Sequence, residues 1–401
     1  MMNTLFEQAK PVLETIKQHG HDAYFVGGAV RDYLMQREIH DVDITTSATP
    51  DEIEHIFPKT VPIGKEHGTI NVVMEDGQYE VTTFRAEGDY DDHRRPNEVY
   101  FVRDLYEDVK RRDFTMNAIA MDSDYQLHDY FHGQKDIEQG VIRTVGPATE
   151  RFDEDALRIL RGLRFQAQLG FSIDHDTYEA MEALINQLAY LSVERIVVEL
   201  QKLIAGKHVG ESYQYMRKLK AFNYMPFFEH FNMDAFTVDR PIEFNDFIAL
   251  LIVQQSPLAA TSVLKLSNKD KQYISRLSEV MHQLPEISQK TVFRRLIYDY
   301  GADLILHALS LNDMMERNEI ATPNPLVINT QTVAETAQQL PIRNRQDLAV
   351  TGKDLLDHTD RKGGPWVNEA LYKLENGVIN NQVPNSKDLL LEWMDKHVEI
   401  Q

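Results

Sequence analysis

The sequence predicts an α+β head, a mixed sheet with helices over residues 1–148, followed by a chain that is helical to its end. Three observations carry this expectation. Short apolar runs broken by Gly-Gly and Asp-Gly crowd the first third of the chain. From about Ala148 the apolar residues recur at helical spacing instead. No fixed-period repeat or low-complexity tract interrupts either part.

The elements follow in order. Tyr24 to Val26 is a short apolar strand that meets Gly27-Gly28 and then a helical stretch, VRDYLM. A second strand runs from Val42 to Thr46, and Thr49-Pro50 opens a short helix, since proline suits the first helical turn. The runs TINVVM and YEVTTF flank Asp76-Gly77, which reads as a hairpin with a two-residue link. Beyond the head, LRILRGLRFQAQL and SVERIVVELQKLIAG are amphipathic helices, and similar segments continue to Gln401.

Composition narrows the class. With 42 % hydrophobic and 26 % charged residues, the 401-residue chain is ordinary for a soluble protein and too apolar for a disordered one. It has no cysteine, which excludes disulfide-linked partners, thiolate metal sites and thiol nucleophiles. The longest apolar run, Phe247 to Val253, falls far short of the roughly 20 residues that span a bilayer. No cationic start precedes an apolar stretch at the N-terminus, so a cytoplasmic location without membrane contact is expected. The net charge is −21, and residues 1–170 (19 Lys/Arg against 32 Asp/Glu) and 171–401 (23 against 31) are both acidic. Any polyanion must therefore be met by local clusters: Arg94-Arg95 with Arg103, Lys110-Arg111-Arg112, and Arg151, Arg158, Arg161 and Arg164.

Two of the head's features carry chemistry together. Glycines between a strand and a helix let the backbone approach a phosphate at Gly28, and Arg31, one turn into that helix, offers a charged donor. Thirteen residues past Gly28, Asp41-Val42-Asp43 places two carboxylates on one side of a strand, a donor pair that suits Mg²⁺. Either feature alone also fits a tight turn or a solvated strand edge; together they fit phosphoryl or nucleotidyl transfer. A P-loop is absent, because Gly-Lys at 64, 206 and 352 is never followed by Ser or Thr.

Gly27-Gly28-Ala29-Val30-Arg31-Asp32 with Asp41-Val42-Asp43 resembles the signature of the nucleotidyltransferase superfamily. Four further segments are similar to the successive motifs of class II CCA-adding enzymes, the tRNA nucleotidyltransferases that share a head with bacterial poly(A) polymerases. They are Arg111 to Ala118 (RRDFTMNA), Asp129 to Asp136 (DYFHGQKD), Glu154 to Arg158 (EDALR) and Ser192 to Ile196 (SVERI). The resemblance implies a seahorse-like, elongated protein: a nucleotidyltransferase head over 1–148, a helical neck over 149–206, a body over 207–290 and a tail over 291–401. It implies template-independent addition and repair of the 3′-terminal CCA of tRNA from CTP and ATP, with release of pyrophosphate. The implied partners are the tRNA 3′ end and acceptor arm, and the implied cofactor is Mg²⁺, with two ions expected.

Residue roles follow from the same resemblance. Asp41 and Asp43 are expected to hold the metal and perform the catalysis, with Gly28, Arg31 and Arg112 on the nucleotide. Arg112 also reads as a cation at the start of a helix, paired with Asp113. Asp155, Arg158, Arg161 and Arg164 recur at steps of three and read equally as one solvated, salt-bridged helix face. By family analogy, Asp155 and Arg158 form a protein template and Arg161 and Arg164 hold the nucleotide. A carboxylate beside a guanidinium matches cytosine and adenine, which each set an amine donor next to a ring-nitrogen acceptor. Glu194 and Arg195 are assigned to bracing the neck. The segment Arg85 to Val99, almost without aliphatic side chains, is expected to be a mobile lever that refits the pocket from C to A.

Three other readings are weighed. A poly(A) polymerase is expected to carry a Gly-Arg-Arg-Phe-like element where this chain has Ile63 to Thr69. A CC-only enzyme lacks the segment that precedes Arg111-Arg112. A decayed, RNA-binding head is disfavoured by the intact Asp41, Asp43, Arg112, Asp155 and Arg158.

Overall fold

A computed structural model describes residues 4–87, 90–91, 95–96, 99–256, 261–359 and 361–398; side chains are described outside 87–99. The chain divides into two compact units, the first built chiefly of residues up to Asp234 and the second chiefly of residues from Leu266 onward.

The first unit opens with helix α1 (Thr4–Gln18), which buries Phe6, Ala9, Val12, Leu13 and Ile16 along one stripe. Strand β1 (Ala23–Val26) runs into α2 (Gly28–Leu34), and β2 (Asp43–Thr46) follows. Helix α3 (Pro50–Ile56) starts with a capping box, in which Thr49 and Glu52 satisfy each other's free N–H groups. Strands β3 (Thr60–Gly64), β4 (Thr69–Val73) and β5 (Gln78–Thr83) complete a meander. The β4–β5 link is four residues, 74–77, rather than the two expected, because Val73 pairs with Gln78 and Met74 N–H donates to the Gly77 carbonyl.

Past β5, β6 (Arg85–Glu87) pairs with β9 (Val99–Phe101), and β7 (Tyr90–Asp91) with β8 (Arg95–Pro96). The segment expected to be a lever therefore holds two short ladders. Gly88, Asp89, Asp92, His93, Arg94, Asn97 and Glu98 lie outside the described residues. Helix α4 (Leu105–Lys110), β10 (Ala120–Met121), β11 (Leu127–His128) and α5 (Gly133–Gln139) follow. The main sheet has the order β11-β10-β1-β2-β5-β4-β3, with only β2 and β5 parallel. Its core joins the α1 stripe to Phe25, Ile44, Ile70, Val72 and Val81.

Strand β12 (Val141–Ile142) precedes α6 (Ala148–Glu154) and α7 (Leu157–Leu169) and pairs with β13 (Ser172–Ile173). Then come α8 (His175–Leu184), α9 (Val193–Ile204) and α10 (Val209–Lys218). Asp155 is not on the helix that carries Arg158, Arg161 and Arg164. It sits between α6 and α7 in extended backbone (φ −147°, ψ 102°), where its carboxylate accepts from Leu157 N–H at 3.0 Å. The helical-face expectation fails at that residue because α6 ends at Glu154.

The second unit is helical among its described residues: α11 (Phe244–Gln255), α12 (Asn268–Gln283), α13 (Lys290–Tyr300), α14 (Ala302–Ser310), α15 (Asn312–Arg317), α16 (Thr330–Gln338), α17 (Gly352–Thr359), α18 (Pro365–Ile379) and α19 (Lys387–His397). Its C-terminal core gathers Leu355, Leu374, Val378, Leu390 and Met394. Glu375, buried among them, accepts from Arg345 at 2.8 Å and from Tyr298 at 3.0 Å. No described helix is long and apolar enough to cross a membrane.

Candidate active site

Strand β1 ends at Val26, and the chain turns through Gly27 at φ 73°, ψ −139°, a conformation open to glycine and strained for other residues. A side chain there would lie 3.5 Å from Asp43 Oδ2 and 3.6 Å from Arg112 Nη1. The turn thus faces a cavity of about 570 Å³ inside the first unit. Gly27, Gly28, Arg31, Asp43, Arg112, Asn117, Asp155, Leu157, Arg158, Arg161, Arg164 and Phe165 line it, with Arg85, Arg111, Asp113 and Arg195.

The metal-type carboxylates stand at one edge. Strand β2 begins at Asp43, so the two carboxylates do not share one side of a strand as expected: both are exposed, Asp43 lining the cavity and Asp41 just before the strand and outside the lining. The parallel β2–β5 register, with Ile44 beside Val81, brings Glu80 alongside Asp43. Asp43 is held above the usual carboxylate range: loss of solvation at the cavity wall contributes most, then repulsion from Asp41 and from Glu80, against an opposing pull from Arg112. Among the described residues no cation lies within ion-pair distance of Asp41, Asp43 or Glu80. Three crowded carboxylates without an ion-pair partner form a hard-oxygen donor set that suits a divalent cation.

Eight arginines line the same cavity against three carboxylates, Asp43, Asp113 and Asp155. An acidic chain therefore presents a locally cationic pocket. Arg31, nearly buried, donates to Asn117 Oδ1 at 2.8 Å and to Asp32 at 3.0 Å. Arg112 is not a helix-entry cation paired with Asp113: it follows the end of α4 and reaches Asp108 at 3.4 Å. Asp113 is taken by Arg161, whose Nε lies 2.7 Å from its Oδ2. Burial alone would raise the Asp113 carboxyl, but Arg161, Asn117 and the Phe114 N–H outweigh it and hold it at about 2.

Helix α7 is not a solvated face either. Arg158 and Arg164 are only 7 % and 8 % exposed. Arg158 donates to Glu154 and to the carbonyls of Arg151 and Arg111, both at 3.1 Å. Arg164 lies 2.7 Å from Glu199 Oε2 and stacks 4.1 Å from the Phe165 ring centre. Asp155 and Arg158 are thus in one cavity but not paired with each other; the partner of Asp155 is Arg195, at 2.7 Å. Arg195, assigned from sequence to bracing, does brace Asp155, and it does so from the cavity wall with Nη1 buried and unpartnered.

The third motif packs against the second. Asp129 accepts from the N–H groups of Gly133 and Gln134 at 2.8 and 2.9 Å, starting α5. Any side chain at Gly133 would meet the Thr115 carbonyl oxygen at 2.2 Å, so only glycine lets α5 close on the RRDFTMNA segment.

Comparison with known proteins places this geometry. Residues 23–143 match the model of the poly A polymerase head domain, 170–231 that of a probable RNA and SrmB-binding site of polymerase A, and 245–394 that of a putative tRNA nucleotidyltransferase domain 2. The chain is 56 % identical to the CCA-adding enzyme of Staphylococcus epidermidis and 51 % identical to that of Staphylococcus aureus, each over 100 % of both chains. The chain belongs to the CCA-adding enzyme family. A crystal structure of the Bacillus stearothermophilus CCA-adding enzyme in complex with CTP superposes with a TM-score of 0.82 at 34 % identity, covering 98 % of this chain and 97 % of that one. The Thermotoga maritima CCA-adding enzyme complexed with tRNA shares the fold, with a TM-score of 0.62 at 18 % identity over 98 % and 95 % of the two chains. Family membership makes the protein a tRNA nucleotidyltransferase and sets aside the reading of a decayed, non-enzymatic head.

Proposed function

We propose that this protein adds cytidine, cytidine and adenosine in turn to the 3′ end of tRNA, without a nucleic-acid template, from CTP and ATP in the arginine-lined cavity of the first unit. The observation that carries the proposal is the cavity's polarity: arginines throughout, metal-type carboxylates at one edge and the Asp155–Arg195 pair in the lining. A nucleoside triphosphate has the complementary layout, with anionic phosphates, a hydroxyl-rich sugar and a base edge.

The residues divide the work. Asp41 and Asp43, with Glu80 beside them, hold Mg²⁺, in a two-ion arrangement. The metal, when bound, activates the tRNA 3′-hydroxyl and offsets charge on the leaving pyrophosphate. Gly28, Arg31 and Arg112 receive the triphosphate, where Gly27 and Gly28 leave the backbone open. Arg161 and Arg164 hold the nucleotide from α7. Asp155 accepts from the exocyclic amine that cytosine and adenine share, and Arg158 donates to the adjacent ring nitrogen. Uracil and guanine place a carbonyl where Asp155 needs a donor.

The division into head (1–148), neck (149–206), body (207–290) and tail (291–401) accompanies this proposal, with the helical parts holding the tRNA acceptor arm. A cytoplasmic location fits the substrates. The test is incorporation of labelled CTP and ATP into tRNA lacking its 3′ end: three additions ending in A support the proposal, and a long A tail from ATP alone supports a poly(A) polymerase instead.

A further inference from the structure

One carboxylate outside the motifs is fully buried beside the cavity. Asp108, on α4, has no exposed surface. Its Oδ1 accepts from Arg111 Nη2 at 2.9 Å and from Arg85 N–H at 3.3 Å, and its Oδ2 lies 3.3 Å from Thr45 Oγ1 and 3.4 Å from Arg112 Nη2. It thus ties together a cavity arginine on each side, the first residue of β6, and strand β2, which starts at Asp43. A buried carboxylate is retained only where such partners offset its desolvation.

Arg112 is held loosely. Besides Asp108, among the described residues it donates to the Asn117 carbonyl, at 3.5 Å, and its Nε is buried without a partner. Its Nη1 and the Oδ2 of Asp43 border the same point above Gly27. Arg112 therefore stands between two carboxylates, one buried and one at the proposed metal edge. An ion pair with Asp43 would remove a metal ligand and a phosphate donor in one step.

We propose that Asp108 is the positioning residue that holds Arg112 at the nucleotide and keeps it off Asp43. The inference rests on the functional reading above, which puts Arg112 on the nucleotide. It adds that the grip on every incoming nucleotide depends on a charge the nucleotide never touches.

The test is Asp108→Asn in the full-length protein, with kcat and KM measured separately for CTP, ATP and tRNA, and the Kd for CTP measured by equilibrium dialysis in EDTA. Hydrogen bonds to charged groups set the scale, so KM for both nucleotides and the metal-free Kd should rise about tenfold, with KM for tRNA unchanged. In an Arg112→Gln background the same change should add less than about twofold, because the two residues act through one contact. Should Asp108→Asn fail to fold, Asp108→Asn/Arg111→Gln removes one of the two guanidinium groups that face the lost charge, and the same rise is expected relative to Arg111→Gln. Unchanged nucleotide KM and Kd, or effects that multiply in full with Arg112→Gln, overturn the proposal. A wild-type protein without CCA addition would instead overturn the functional reading.

Discussion

Arg195, in the first turn of α9, donates from Nη2 to the Oδ2 of Asp155 at 2.7 Å, across 40 residues of sequence. The other oxygen of Asp155 accepts from Leu157 N–H at 3.0 Å. The carboxylate is therefore fixed from two sides, and its remaining lone pairs face the cavity it lines. A base edge is read by an acceptor whose direction is set before the base arrives, and pre-setting of this kind is what selectivity requires.

Arg195→Ala should leave tRNA binding intact and lower the preference for CTP over UTP by about tenfold, since a misdirected acceptor loses roughly one hydrogen bond of discrimination. Single-nucleotide incorporation with each of the four triphosphates measures it. Retained preference would place Arg195 in the fold alone.

Asp155→Ala removes the acceptor itself. Discrimination against UTP and GTP should fall by about 1–3 kcal/mol, the worth of one well-placed readout pair. Unchanged nucleotide preference in both Asp155→Ala and Arg158→Ala would remove the template role from this pair.

Replacing Asp41 or Asp43 by Ala should abolish incorporation of both C and A while tRNA binding persists, because phosphoryl transfer depends on the charge these ligands hold in place. Near-normal turnover in Asp41→Ala would assign that carboxylate to the surface. Glu80→Gln should reduce turnover in the same direction, a result the Asp-x-Asp pattern alone does not foresee.

These cases show what was legible in the sequence. The Gly-Gly turn and the Asp-x-Asp step are local, so each could be read from a few adjacent letters. Glu80 reaches Asp43 only through the β2–β5 register, and Arg195 reaches Asp155 only through the packing of α9, so neither announced its partner. Asp155 was read as helical because a three-residue step continues through it, whereas the break after Glu154 turns it into a cap. Asp108 carries no local signal in the sequence; only the fold encloses it. The Asp-Gly hairpin was right in place and wrong in length, because Val73–Gln78 pairing leaves Met74 and Glu75 in the link.

The Asp113–Arg161 pair gives a pH signature. The folded carboxyl sits at about 2, below the roughly 3.9 of an unfolded aspartate, so its contribution is complete above about pH 4 and is lost as pH falls toward 2. Asp113→Asn should destabilise the protein at pH 7, at the lower end of about 3–5 kcal/mol because Arg161 keeps some access to water. Urea denaturation from pH 7 down to pH 3 should show the gap to wild type narrowing only below pH 4. A gap constant across that range would show that the ion pair does not set stability.

Deleting Gly88 to Arg95 should spare both C additions and block the terminal A, since one pocket must refit from a pyrimidine to a larger purine. Product length on a sequencing gel with both triphosphates supplied decides it. Full-length CCA ends would make the segment dispensable, and loss of all addition would tie it to the fold or the chemistry in general.

The central claim is that one arginine-lined cavity serves all three additions. The most direct measurement follows tRNA lacking its 3′ end, incubated with Mg²⁺ and labelled nucleotides, for the wild type and Asp43→Ala side by side. The account predicts two added residues with CTP alone, three ending in A with CTP and ATP, and none in the variant with either mixture. Addition of A that survives in Asp43→Ala while C addition is lost would contradict it, because the two nucleotides would then be joined at different sites.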